Sequence, residues 1–212
     1  MTVVGVQAPA DPTRRLQLVL DAPGVDLEAA ERAVADLLVA LGQDPASEHL
    51  AATPALVARS FAELLTPTPF TATTFPNDEG YDELVLTRDI PFHSLCHHHL
   101  LPFTGVAHVA YLPAGRIVGL SKLARVVDYF ARRLQVQERL TCQVADWLHE
   151  HLDPTGVGVV VEAEHTCMSL RGVHKPGART VTSALRGLVR DDPRTRQEFV
   201  ALAMSSPLTH HR

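Results

Sequence analysis

The run Ser94-Leu95-Cys96-His97-His98-His99 sets one thiol and three imidazoles in consecutive positions, and His165-Thr166-Cys167 forms a second cluster far downstream. Thiolate sulfur and imidazole nitrogen are the preferred donors for zinc. Three protein donors with one open position make a zinc that does chemistry, and four closed donors make a structural one. The two clusters read as halves of one metal site. Cys96 with either His98 or His99 supplies two donors, Cys167 supplies a third, and spacing alone does not choose between the two histidines. The spare imidazoles, His165 among them, then stand where protons can be moved beside an activated water.

Other residues suggest anion and base recognition. Lys122 and Arg125 share a face at the start of a helix that Ser121 is expected to cap. Free N–H groups and two cations there make a phosphate site, which Arg171, four residues after Cys167, could join. Gln137-Glu138 opens the next helix, and a fixed carboxylate can accept two hydrogen bonds from the N1–H and amino group of guanine. Plainer roles suit the rest. Cys142 and Trp147 read as packed helix residues, His149 and His151 as surface groups near a helix end, and His108 as a structural strand residue.

The elements that must carry these groups follow from periodicity. Leu27, Ala30, Val34, Leu37, Leu38 and Leu41 repeat at helical spacing, and Gly42 closes that helix. Thr53-Pro54 opens a second helix, with Thr53 as its cap, and residues 67–80 read as a polar connector. From Tyr81 the period becomes two. Residues 84–92 look extended and lead into Cys96, while 105–112 form a strand, followed by a turn and a short return at 116–118. Two amphipathic helices come next, one after Ser121 and one ending near Asp153. The β-branched run Val157–Glu164 is a buried strand delivering His165 and Cys167, Thr180–Leu185 alternates as a last strand, and 192–203 is helical. This order predicts an α+β protein, an antiparallel sheet with helices on one face.

The chain has 212 residues and a formal net charge of −5. That charge argues against general nucleic-acid binding, so any anionic ligand must be held by local Lys and Arg clusters. No apolar run is long enough for a membrane span and no signal pattern opens the chain. Three cysteines cannot make a disulfide framework, which favours a reducing cytoplasm. The expected divisions are a flexible tail at 1–25, a helical region at 26–80, a catalytic domain at 81–205 and a short tail at 206–212.

Leu120-Ser121-Lys122-Leu123-Ala124-Arg125 and Arg133-Leu134-Gln135-Val136-Gln137-Glu138-Arg139-Leu140-Thr141, with the two Cys/His clusters and Arg171-Gly172-Val173 in the same order, resemble the GTP cyclohydrolase I family. The resemblance covers about residues 27 to 203. It implies the tunnelling fold, a ββααββ unit whose sheets join between subunits into a barrel, and a homodecamer with active sites at subunit interfaces. It also implies conversion of GTP and water to formate and 7,8-dihydroneopterin triphosphate, the entry to folate and pterin synthesis. Carried over by position, Cys96, His99 and Cys167 bind Zn2+. His98 and His165 move protons, and Ser121 assists the ribose rearrangement. Glu138 with Gln137 holds guanine, and Lys122, Arg125 and Arg171 hold the triphosphate.

Two positions depart from the family pattern. His97 stands where Glu is usual, which alters the charge beside the zinc or adds a competing ligand. Leu56 stands where the second helix usually has Arg, with Arg59 the nearest substitute. One alternative is a specialised paralogue making deazapurine or pterin-derived products by the same reaction; the other, which His97 and Leu56 keep open, is a nucleotide-binding protein without turnover.

Overall fold

A computed structural model describes residues 14–18 and 24–205; most of the expected N-terminal tail and all of the 206–212 tail lie outside the described residues. The elements are β1 (Arg14–Leu18), α1 (Leu27–Ala40), α2 (Thr53–Leu65), β2 (Phe70–Pro76), β3 (Val85–Cys96), β4 (Pro102–Leu112), β5 (Arg116–Val118), α3 (Leu120–Ala131), β6 (Leu134–Gln135), α4 (Gln137–Leu152), β7 (Gly156–His165), α5 (Thr166–Ser169), β8 (Arg179–Gly187), α6 (Leu188–Asp191) and α7 (Pro193–Met204). The long pieces β3–β4, α3–α4 and β7–β8 form the expected ββααββ unit.

Its sheet has the order β6-β3-β4-β7-β8, antiparallel throughout except that the short β6 runs parallel to β3. Alternation along each strand puts Phe92, Phe103, Ala107, Val109, Val157, Val159, Val161 and Ala163 on one face. Helices α3 and α4 cover that face with Leu123, Val126, Leu140, Val144, Trp147 and Leu148, all nearly or fully buried. Each such side chain contributes about 1.5–3 kcal/mol of apolar transfer. The opposite face is covered as well at one end, where Phe199 and Ala203 of α7 pack on Ala110, Leu112 and Val160. His108 lies buried on that face, its Nδ1 accepting from the Asp89 amide at 3.3 Å beside the bulge in β3. Burial pushes its pKa down, with the Asp89 carboxylate opposing, which suits the structural role expected of it.

Four local expectations are revised. The stretch read as an N-terminal tail contains β1, which pairs with β2 inside the supposed connector. β2 in turn pairs with β5, making a separate three-stranded sheet. Thr53 is the first residue of α2, not its cap, and Ala52 precedes it without a side-chain cap. Ser121 lies inside α3, whose cap position is held by Gly119 with no side-chain bond. Asp26 and Asp192, by contrast, do cap α1 and α7, accepting from Ala29 N at 2.9 Å and Thr195 N at 2.8 Å.

The β4–β7 ladder runs from Phe103 opposite His165 to Leu112 opposite Gly156. Gly105 faces Ala163 in that ladder, and a Cβ there would lie 1.9 Å from the Glu162 carbonyl oxygen. Backbone on both sides leaves nothing flexible to move. Gly105→Ala is therefore expected to destabilise the protein by about 1–3 kcal/mol or more, read as a lowered urea midpoint. An unchanged midpoint would show that the two strands do not pack this closely.

Candidate metal centre and its surroundings

Strand β3 ends at Cys96, and the chain turns back at once. Cys96 N donates to Leu101 O at 2.8 Å, while His99 N and Leu100 N both donate to Cys96 O. Leu100 closes the turn with φ of 56°. This fold-back sets His99 Nδ1 3.7 Å and His98 Nδ1 4.0 Å from Cys96 Sγ. The thiol is buried and the imidazoles reach the surface.

Cys167 arrives from the other side. β7 ends at His165, and the single turn α5 follows, tied down by Thr166 Oγ1 donating to Pro102 O at 2.5 Å. Because β4 pairs with β7 up to its first residues, that turn sits against the end of β3. One donor atom each from Cys96, His99 and Cys167 then lies within 4.8 Å of the others. Donors around a tetrahedral zinc are about 3.5–3.8 Å apart, so the Cys96–His99 separation already suits such an ion. Burial, then the neighbouring Cys96 thiol, pushes the Cys167 thiol up, and the Arg171 charge opposes only weakly. A cation joining the site would favour the Cys167 thiolate, and the sulfur–sulfur–nitrogen set suits a borderline-soft metal. The structure thus selects His99 over His98 for the trio.

His97 is directed elsewhere. Its amide donates to Gln135 O at 2.8 Å, and its Nδ1 lies 3.5 Å from an Arg139 nitrogen. Arg139 is itself held by Gln135 Oε1 at 2.9 Å and Leu134 O at 2.6 Å. The geometry places His97 Nδ1 as an acceptor for a fixed guanidinium, outside the Cys96–His99–Cys167 group.

His165 stacks on Phe103, with ring centroids 4.5 Å apart and planes 6° from parallel. Its Nε2 donates to Gln137 Oε1 at 2.8 Å, leaving Nδ1 free to accept. Burial lowers its pKa, with the Glu138 carboxylate opposing, which favours the uncharged ring. Gln137 is only 2% exposed, and its amide nitrogen faces Val161 O, Thr180 O and Thr182 Oγ1 at 2.9–3.1 Å. This side chain is a strut that joins α4 to β7 and β8 and orients His165. Glu138, next to it, is exposed in the first turn of α4.

The expected phosphate residues are not gathered in one place. Lys122 and Arg125 line a cavity of about 460 Å³ with Arg15, Pro69, Phe70, Thr71 and Thr73. None of Cys96, His98, His99, His165, Cys167, Arg171 or Arg59 lines it. Ser121 is exposed at the start of the same helix, and Arg171 follows α5 on the thiol side. Arg59 bends back onto its own helix, donating to Ala55 O at 3.2 Å. Sequence reasoning missed Arg15, Arg139 and the strut role of Gln137. Alternation in Phe70-Thr71-Ala72-Thr73-Thr74-Phe75 was the signal that could have revealed the strand beside Arg15.

Known proteins resemble this chain over most of its length. The GTP cyclohydrolase I family model matches residues 30–204. GTP cyclohydrolase 1 of Streptomyces avermitilis is 57% identical over 187 residues, covering 85% of this chain and 92% of that protein. GTP cyclohydrolase 1 of Thermoanaerobacter pseudethanolicus is 53% identical over 186 residues, covering 85% and 98%. Among solved structures, the archaeosine synthase QueF-Like in its apo form superposes with a TM-score of 0.40 at 18% identity, over 50% of this chain and 94% of that one. With the family model spanning most of its length and such relatives aligned almost end to end, this chain belongs to the GTP cyclohydrolase I family.

Proposed function

We propose that this protein is a zinc-dependent GTP cyclohydrolase I. It would open the guanine imidazole ring of GTP by hydrolysis, release formate and rearrange the remainder to 7,8-dihydroneopterin triphosphate. The observation that carries this reading is the Cys96–His99–Cys167 trio beside an oriented His165, in a chain of this family. Cys96, His99 and Cys167 would hold the ion, and zinc bound there supplies Lewis acidity that activates water near neutral pH.

The protein's own groups account for the remaining work. Glu138 offers an exposed carboxylate that can accept from the N1–H and amino group of guanine. His165, fixed by Gln137 and Phe103, presents Nδ1 as a proton acceptor, and His98 beside Cys96 supplies a second imidazole for later transfers. Lys122 and Arg125 bind the phosphates, with Arg171 on the thiol side. Ser121 provides a hydroxyl for the ribose rearrangement. Because the Lys122–Arg125 cavity and the trio share no residue, one GTP is read as bridging two subunits of a homo-oligomer, a decamer in the family pattern. No helix among the described residues is long and apolar enough to cross a membrane, and unpaired cysteines suit the cytoplasm, where we place it.

Two measurements test this reading. Cobalt(II) titration followed by thiolate charge-transfer absorbance is expected to saturate near one ion per chain. Cys96→Ala, Cys167→Ala and His99→Asn are expected to lose at least about 100-fold in affinity, more than outer groups cost, while His97→Asn and His98→Asn keep it. Equal loss in His98→Asn and none in His99→Asn would reverse the ligand assignment. In turnover assays the zinc-loaded protein is expected to release formate from GTP and yield a fluorescent pterin after oxidation. His165→Asn should lower kcat by about 10²–10⁴-fold with metal content intact. A zinc-replete protein that forms neither product contradicts the proposal.

A further inference from the structure

The cavity at the start of α3 contains a cation that lies before residue 30, where the family match begins. Arg15 stands on β1 directly opposite Thr73 of β2, and residues opposite each other in a ladder share a face. Thr71 and Thr73 line the cavity floor from that face. Gly119 N donates to Thr73 O at 3.2 Å, which holds the first turn of α3 against the same strand and brings Lys122 and Arg125 to the opposite wall. Two strands and a helix thus converge to set three cations around one concave space of about 460 Å³.

The charges in that space are unbalanced. No carboxylate lines the cavity, and among the described residues Arg15, Lys122 and Arg125 form no ion pair. Yet the chain carries 24 acidic residues against 19 basic ones, so partners were available had neutralisation been the purpose. Three like charges held around one cavity repel each other unless an anion sits between them. Hydroxyls of two threonines add hydrogen-bond donors suited to phosphate oxygens.

We infer that Arg15 is a phosphate-binding residue, the third cation of a polyphosphate pocket that it forms with Lys122 and Arg125. This deepens the GTP reading and rests on it for the identity of the natural ligand. β1 is then part of the substrate site, and the sheet β1-β2-β5 exists to hold Arg15 against α3. Arg15 binds in ground and transition states alike, so its removal acts mainly on KM.

The test is calorimetric titration of the full-length protein with inorganic tripolyphosphate, alongside GTP turnover. Arg15→Gln is expected to weaken tripolyphosphate about tenfold and raise the KM for GTP by a similar factor, with the melting temperature unchanged because Arg15 is exposed. Arg15→Lys should recover most of the affinity. Arg32→Gln, which removes an exposed cation on α1, should change neither. Equal tripolyphosphate affinity in wild type and Arg15→Gln overturns the inference, as does an equal loss in Arg32→Gln. Binding lost in Arg15→Gln by a protein that does not turn over GTP upholds the pocket and puts the failure in the cyclohydrolase reading. Normal GTP turnover with Arg15→Gln unaffected does the reverse.

Discussion

The site depends on the register of one strand pair. β4 and β7 are matched from Phe103 opposite His165 to Leu112 opposite Gly156, and this ladder brings the end of β7 to the end of β3. A slip of one residue would turn Val157, Val159, Val161 and Ala163 out of the core, since side chains alternate along a strand. The same slip would carry Thr166 away from Pro102 and Cys167 away from Cys96. Core burial and donor geometry are therefore fixed by one constraint. Gly105, which admits no Cβ, lets the strands approach closely just before that end.

Around this constraint each functional group has a local support. Cys96 and His99 share a turn closed through Leu100 and Leu101. His165 is sandwiched between the Phe103 ring and the Gln137 amide, and Gln137 is in turn tied to β7 and β8. His97 rests against Arg139. The imidazoles thus differ in surroundings, and even His97 and His99, close together in the chain, meet different partners.

Much of this was legible in the sequence. The Cys/His clusters fall at predicted strand ends, the helical and strand periods match the elements they became, and the catalytic unit has the expected order. What could not be read is long-range. Arg14–Leu18 looks like tail because its partner strand is flanked by Pro69 and Pro76, and only pairing between distant segments makes either a strand. The strut made by Gln137 is not visible in a sequence, which does not reveal that three acceptors from β7 and β8 will surround its amide. The choice of His99 over His98 needed the turn at Leu100, and the separation of Lys122 and Arg125 from the trio needed the cavity itself.

The central claim is that two thiolates and one imidazole, delivered by β3 and β7, form a single metal centre. X-ray absorption at the zinc edge of the zinc-loaded, full-length protein tests it most directly. Two sulfur scatterers near 2.3 Å and two lighter ones near 2.0–2.1 Å, one of them imidazole, are expected. Four sulfur scatterers, or nitrogen and oxygen alone, would contradict it.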